Sequence, residues 1–292
     1  YFNKLTDNTV ADIYVPISHG QETMKGNIGK IRNTGWDFNV TAYVIRNTEK
    51  NMIWSITGRF NGLKNKTVKM SEAFKYTLEK TWSSMTYSED YFRYREGHSL
   101  DAIYGLRTIG VDPMTGQRLY LTKDGQVTAY QGMSDMVYLG DRQPKVNGSI
   151  STCFSYKGFS VNIGFNMKWG GKQINFTEIA KGENFNMAYN IDSRILGKLW
   201  VNPGDKALYK RYGAAATQVC DMFVQKDNVF SCTNINLSYH VPTSITKKYL
   251  GIEKISFTAN LSDIFYISTI KRERGTAYPF SRNPNFGISC TF

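Results

Sequence analysis

Between Tyr156 and Gly171 the chain reads YKGFSVNIGFNMKWGG, and its apolar side chains fall on every second position: Phe159, Val161, Ile163, Phe165, Met167 and Trp169. Ser160, Asn162, Gly164, Asn166 and Lys168 fill the gaps. A period of two is a β-strand with one oily and one wet face. Such a strand either covers the core of a soluble sandwich or faces hydrocarbon outward and water inward in a membrane barrel. One strand does not separate these outcomes.

The same period recurs along the chain. Trp36, Phe38, Val40, Ala42 and Val44 share one face, with Asp37, Asn39, Thr41 and Tyr43 on the other. After a polar turn at 47–51, Trp54, Ile56, Gly58 and Phe60 alternate with Ser55, Thr57, Arg59 and Asn61, which predicts an antiparallel hairpin. Val146–Tyr156 alternates too and joins the opening strand through Lys157 and Gly158. Further strands are predicted over Ser231–Tyr239, Lys254–Ile264 and Asn285–Phe292; in the first of these Thr233, Ile235, Leu237 and Tyr239 oppose Cys232, Asn234, Asn236 and Ser238. Leu63–Leu100 and Phe176–Asn228 read as long loops, the former with a helical turn near Glu72–Glu79. Asp112, Pro113, Thr115 and Gly116 supply turn chemistry between two β-prone arms, and Asp112 reads as a turn residue because no second carboxylate or base is marked by spacing.

The connections are sorted by length. Tight turns near Thr48 and Lys157 alternate with excursions of tens of residues after Gly62 and Trp169. Outer-membrane barrels have this asymmetry, with short periplasmic turns and long external loops, and a soluble sandwich has no reason for it. No run of about 18 apolar residues is present, so no transmembrane helix is expected, and barrel strands escape a hydropathy window even at a mean hydropathy of -0.39. Aromatics make up 14% of the chain, which suits strands, sugar-binding surfaces and interfacial girdles alike.

The net charge of +12 is scattered rather than patterned, so clusters such as Lys64, Lys66, Lys69 and Lys271, Arg272, Arg274 read as solvated loops and no nucleic-acid partner is expected. Cys153, Cys220, Cys232 and Cys290 form no CxxC pair and no histidine stands at metal spacing, so neither a metal nor a cofactor is expected; a Cys220–Cys232 bridge stays open. His19, His98 and His240 share no spacing and read as surface or structural residues. The start, YFNKLTDNTV, has no leader-like pattern and opens inside an apparent strand, as the tail of a longer chain would. The end, NPNFGISCTF, aligns Phe286, Ile288, Cys290 and Phe292 on one face. An aromatic at the last position of a last strand is what the outer-membrane insertion machinery reads, although any strand ending on Phe looks the same.

The order of NIGKIRNTGWDFNV (Asn27–Val40), YGLRTIGVDPMTGQRLY (Tyr104–Tyr120), LGDRQPKVNGSISTCFSYKGFSVNIGF (Leu139–Phe165), LWVNPGD (Leu199–Asp205), NINLSYHVP (Asn234–Pro242) and NPNFGISCTF resembles the C-terminal third of SusC/RagA-type TonB-dependent transporters of Bacteroidetes outer membranes. The resemblance implies an all-β fold: about eight to ten strands of a 22-stranded antiparallel transmembrane barrel with long extracellular loops, spanning residues 1–292 without the plug domain. It further implies glycan or peptide import, no covalent chemistry, and as partners a SusD-like surface lipoprotein, the TonB complex through the missing N-terminal part, and outer-membrane lipid. On that reading Asn162, Asn166, Lys168, Asn234 and Asn236 face the lumen, and Phe286, Ile288 and Phe292 form the insertion signal. Trp200, Tyr209 and Tyr212 are ligand or lid contacts on an extracellular loop, because each offers a flat apolar face with a polar edge; packing of their own loop is the competing role. A soluble carbohydrate-binding β-sandwich is the alternative, and a glycoside hydrolase would need a carboxylate pair that the sequence does not nominate.

Overall fold

The computed structural model describes residues 1–14, 23–76, 78, 95–132, 135–271 and 282–291. Its strands are β1 (Phe2–Tyr14), β2 (Thr23–Asn47), β3 (Met52–Met70), β4 (Ala102–Gly105), β5 (Arg107–Val111), β6 (Arg118–Leu121), β7 (Val127–Thr128), β8 (Val137–Asp141), β9 (Val146–Tyr156), β10 (Phe159–Ile174), β11 (Val224–His240), β12 (Lys254–Ser268) and β13 (Asn285–Thr291). One eight-stranded antiparallel sheet runs in the order β1-β2-β3-β9-β10-β11-β12-β13. The two-stranded sheet β4-β8 and the three-stranded sheet β5-β6-β7 belong to the excursion between β3 and β9.

The tight turns are built as their residues dictate. Lys157 and Gly158 both take positive φ (45° and 87°) and leave Tyr156 paired with Phe159, the geometry of a two-residue hairpin. Asn51 at φ 46° closes the 48–51 turn, where the Asn47 Oδ1 accepts from the Lys50 N–H at 2.9 Å. The third connection at this end is longer: a helix, Thr243–Leu250, stops at Gly251 in the left-handed region (φ 64°), an element absent from the alternation pattern.

Register settles the faces. Phe159, Val161, Ile163, Phe165 and Met167 pair with Tyr239, Leu237, Ile235, Cys232 and Phe230, so these residues share one side of the sheet. The alternation expected for β11 is thereby corrected: Thr233 is skipped between Cys232 and Asn234, and this bulge turns Cys232 to the apolar side beside Phe165 and Phe265. A second bulge, between Tyr43 and Ile45, puts Ile45 opposite Trp54 and takes Val44 out of the apolar column. β3 runs to Met70, beyond the end expected at Gly62, because Asn61–Met70 continues to pair with β2. A helical turn follows at residues 72–76.

No second protein layer covers the apolar side of the large sheet among the described residues. Phe38, Val40, Phe159, Trp169, Phe230, Leu237, Phe257, Phe286 and Ile288 all lie on it and are all exposed. Fully burying one such side chain is worth about 1.5–3 kcal/mol, and a whole domain has only about 5–15 kcal/mol of net stability. A sheet with this face in water would forfeit stability on that scale, so the face requires an apolar solvent. The core sits elsewhere: Ile103, Tyr104, Leu106, Tyr120, Met136, Val219 and Phe223 pack together in the layer formed by the excursions at the long-loop end of the sheet.

Candidate functional site

The polar side of the sheet is concave at its loop end. Arg59 and Asn61 from β3, Asn147 and Ser149 from β9, Asn166 and Lys168 from β10, Asp227 from β11 and Tyr266 from β12 line a recess of about 540 Å³. The strand registers Arg59↔Ser149, Asn61↔Asn147, Ser149↔Asn166 and Ser231↔Tyr266 bring these residues onto one side. Lys168 Nζ donates to Asp227 Oδ2 at 2.7 Å, with the carboxylate buried and the ammonium half exposed. The skip between Lys168 and Gly171 in the β10-β11 ladder sets this pair on the wall. Arg59 is exposed and lines the recess. Deeper along the same side, Thr41 and Thr57 (3.0 Å) and Ser160 and Ser238 (2.6 Å) bond hydroxyl to hydroxyl across strands. Such a surface offers amide, hydroxyl and both signs of charge to a polar solute.

The residues singled out from the sequence fall into groups. Asn166 and Lys168 line the recess. Asn162 pairs with Asn236, and Gly164 with Asn234, which sets Asn162, Asn234 and Asn236 on the same polar side. Phe286 and Ile288 lie on the apolar side of β13 opposite Ala259 and Phe257, 81% and 71% exposed. Phe292, like His19, Arg272 and Arg274, lies outside the described residues. All four cysteines are free thiols.

The three loop aromatics do not form one surface. Tyr209 is 1% exposed, packs with Phe185 and Ile195, and donates its hydroxyl to Glu178 Oε1 at 2.9 Å, so in this structure it packs the loop and presents no face to a ligand. Trp200 is half-buried and donates Nε1–H to the Pro113 carbonyl at 2.8 Å, tying the two excursions together. It lies over Gly116, where a Cβ would meet the indole at 2.5 Å. Tyr212 is exposed, with its ring 5.2 Å from that of Phe185.

Beneath these residues the loop layer holds a buried polar network that spacing alone does not announce. Arg118 Nε and Nη2 donate to Glu183 Oε1 and Oε2 at 2.6 and 2.9 Å, a bidentate pair with both side chains out of water. Nη2 also donates to the Leu208 carbonyl at 2.7 Å, and Thr217 Oγ1 donates to Glu183 Oε1 at 2.7 Å. A π-helical turn over Ile179–Glu183 delivers the glutamate inward. Lys210 Nζ donates to Asn184 Oδ1, the Ala215 carbonyl and Thr217 Oγ1, while burial pushes its ammonium down to about 8, opposed by the attraction of Glu183. Burial holds the Cys220 thiol up at about 12, which makes it inert. The partners Arg118 and Glu183 stand 65 residues apart, so no local motif marks them.

Comparison with known proteins completes the site. The chain is 21% identical over 313 residues to the TonB-dependent receptor P39 of Formosa agariphila, covering 90% of this chain and 29% of the relative. It is likewise 21% identical over 263 residues to the TonB-dependent receptor P3 of the same organism, covering 85% and 25%. The RagAB peptide importer superposes with a TM-score of 0.76 in its closed-closed state and 0.75 in its open-open state, at 18% identity over 99% of this chain and about a third of that one. The chain is similar to part of a SusC/RagA-type TonB-dependent transporter. Its fold is that of the transporter barrel wall, and its setting is the outer membrane. The chain spans between a quarter and a third of the length of the relatives it matches. No protein-family profile matches it.

Proposed function

We propose that residues 1–292 form the C-terminal part of the barrel of an outer-membrane nutrient importer, with the plug domain outside this segment. In that role the bare apolar face meets lipid, and the side that carries Asn162, Asn166, Lys168, Asn234 and Asn236 lines the wet lumen. Import involves no covalent chemistry by this chain; the wall binds cargo weakly and lets it pass, while TonB, acting through the plug-bearing part, supplies the energy. A SusD-like surface lipoprotein is the partner at the loop end, where exposed Tyr212 and half-buried Trp200 are contacts for it or for cargo. Phe286, Ile288 and Phe292 serve as the insertion signal. The single observation that carries the reading is the eight-stranded sheet with one apolar side uncovered and the other recessed and polar.

Peptide is the cargo the recess suits best. Arg59 can meet a carboxylate, and the Lys168–Asp227 pair together with Asn61, Asn147 and Asn166 can meet backbone amides. The fold neighbour named as a peptide importer supports the same choice. The test is uptake of a labelled oligopeptide mixture, against oligosaccharides of equal mass, by cells carrying the full-length transporter. Peptide uptake is expected to need the proton-motive force and to fall several-fold in Arg59→Ala. Uptake of oligosaccharides alone would refute the cargo, and a chain that stays monomeric in buffer without detergent would refute the membrane assignment.

A further inference from the structure

We infer that the outer face of this wall carries a docking site for a phosphate-bearing lipid headgroup of the outer leaflet, built by Lys64, Lys145 and Lys226 just beyond Trp36 and Trp169. The inference rests on the outer-membrane reading above and adds a lipid ligand to it.

The height of the site follows from the strand. Tyr156, Phe159 and Tyr239 mark the tight-turn end of the apolar column, and Trp169 ends it at the loop end. From Phe159 to Trp169 the strand covers ~33 Å at ~3.3 Å per residue, or about 25 Å of height at a tilt of ~40°. That is the height of the apolar band of an outer-membrane barrel, so Trp36 and Trp169 sit at the boundary between hydrocarbon and headgroups, where indole rings belong. Whatever lies one step further along the same face is level with headgroup phosphates.

What lies there is positive. Trp36 and Trp169 line one recess of about 1040 Å³ together with Lys64, Lys145, Lys172 and Lys226. Lys64 pairs with Thr34 in the register that puts Trp36 opposite Gly62, which turns Lys64 to the tryptophan side. Lys226 pairs with Lys172 one step from Gly171↔Asp227, and since Asp227 faces the polar side, Lys226 faces outward. Lys145 lies between the tryptophans: its N–H donates to the Trp169 carbonyl at 2.9 Å and its Cβ, Cγ and Cδ lie over Gly170, where a methyl group would touch each at 3.0 Å. Gly62 is equally constrained, since a Cβ there would collide with the Trp36 indole and come within 2.8 Å of the Lys145 carbonyl.

Lys172 is committed to the Leu139 carbonyl. Asp141, the carboxylate on the recess wall, is engaged by the Tyr138 hydroxyl at 2.7 Å. Lys64, Lys145 and Lys226 are exposed and have no carboxylate partner among the described residues. Three ammonium groups around a floor of two indoles match a phosphorylated headgroup whose acyl chains run down the apolar column. The sequence reading of Lys64 as part of a solvated loop is thereby revised: β3 continues past Gly62 and carries this lysine on a strand.

The test uses the full-length transporter in detergent micelles titrated with bisphosphorylated lipid A, with the same lipid enzymatically stripped of phosphate, and with inorganic phosphate. Binding of the phosphorylated lipid is expected to exceed that of the stripped lipid, and K64Q/K145Q/K226Q is expected to weaken it roughly a hundredfold, at about a fivefold loss per lysine. The charge-preserving K64R/K145R/K226R variant should bind as the parent does. Equal binding of both lipids, or a glutamine variant that binds normally, would overturn the inference; inorganic phosphate competing as well as the lipid would make it a site for a soluble anion instead. In vesicles containing brominated lipid, W36F/W169F should remove part of the tryptophan quenching. If it removes none, the membrane placement itself fails; if it does and the phosphate preference is missing, only the lipid site fails.

Discussion

The large sheet and the layer of excursions above it are opposite solutions to the same problem. Along β9–β13 the apolar residues point away from the protein and almost none is buried, yet the strands are long and regularly paired. In the excursions the strands are two to five residues long, and the apolar residues close on each other around Ile103, Tyr104 and Phe223. The sheet borrows its core from the surrounding solvent; the loop layer must make its own and adds a buried ion pair to fix it. Stability of the first should therefore follow the lipid, and stability of the second should follow side-chain complementarity.

The sharpest way to break this contrast is Glu183→Gln. It leaves the Arg118 guanidinium buried without its carboxylate and should cost the loop layer about 3–5 kcal/mol. Limited proteolysis should then cut within 176–223 while the sheet keeps its heat-modifiable mobility on a gel; loss of both together would mean that the two regions are one cooperative unit. Next in size is a charge on the bare face. Ile163→Arg, at the middle of the apolar column, should destabilise the inserted barrel by about 2–4 kcal/mol, read from denaturant unfolding in vesicles, whereas Asn162→Arg on the opposite side should be nearly neutral. Equal effects at these adjacent positions would place protein on both sides. Tyr209→Phe is smaller, about 1.5–3 kcal/mol for a hydrogen bond to a charged group, and should show as faster hydrogen exchange around Glu178 with no change in cargo affinity.

The last effect is a slope with pH. Lys210 is held down at about 8 in the folded loop and returns to about 10.4 when unfolded. Below pH 8 both states carry the proton, and the folded state bears the full cost of burying the charge. Between the two values the unfolded state binds more protons, so the loop layer should gain stability as the pH rises through this window. Lys210→Met should remove that slope, as followed by the unfolding midpoint of the proteolytically defined layer.

Much of the sheet was legible because its residues answer to one neighbour at a time. Alternation in Phe159–Trp169 and the Lys157-Gly158 turn translate directly into faces and a hairpin. Legibility failed where pairing slips: nothing around Thr233 distinguishes it from its neighbours, and only the ladder to Phe165 shows that Cys232 belongs with the aromatics. It failed again in the excursions, where Tyr209 has the composition of a ligand contact but is enclosed by Phe185, Ile195 and Glu178. Long-range closure decides such residues, and it leaves no period in the chain. The recess at Asn166 and Lys168 lies between: the side was readable from β10, and the concavity arises from four further strands.

The strands also differ in how far they continue past the tryptophans. β2 extends from Trp36 back to Thr23, roughly 40 Å of further chain at ~3.3 Å per residue, whereas β9 begins at Val146, level with Trp169. The paired wall is thus tall at β2 and short at β9. Where the β9 ladder stops, the packed excursions stand instead, so the height that β2 reaches as strand is reached there by folded loop with a core of its own.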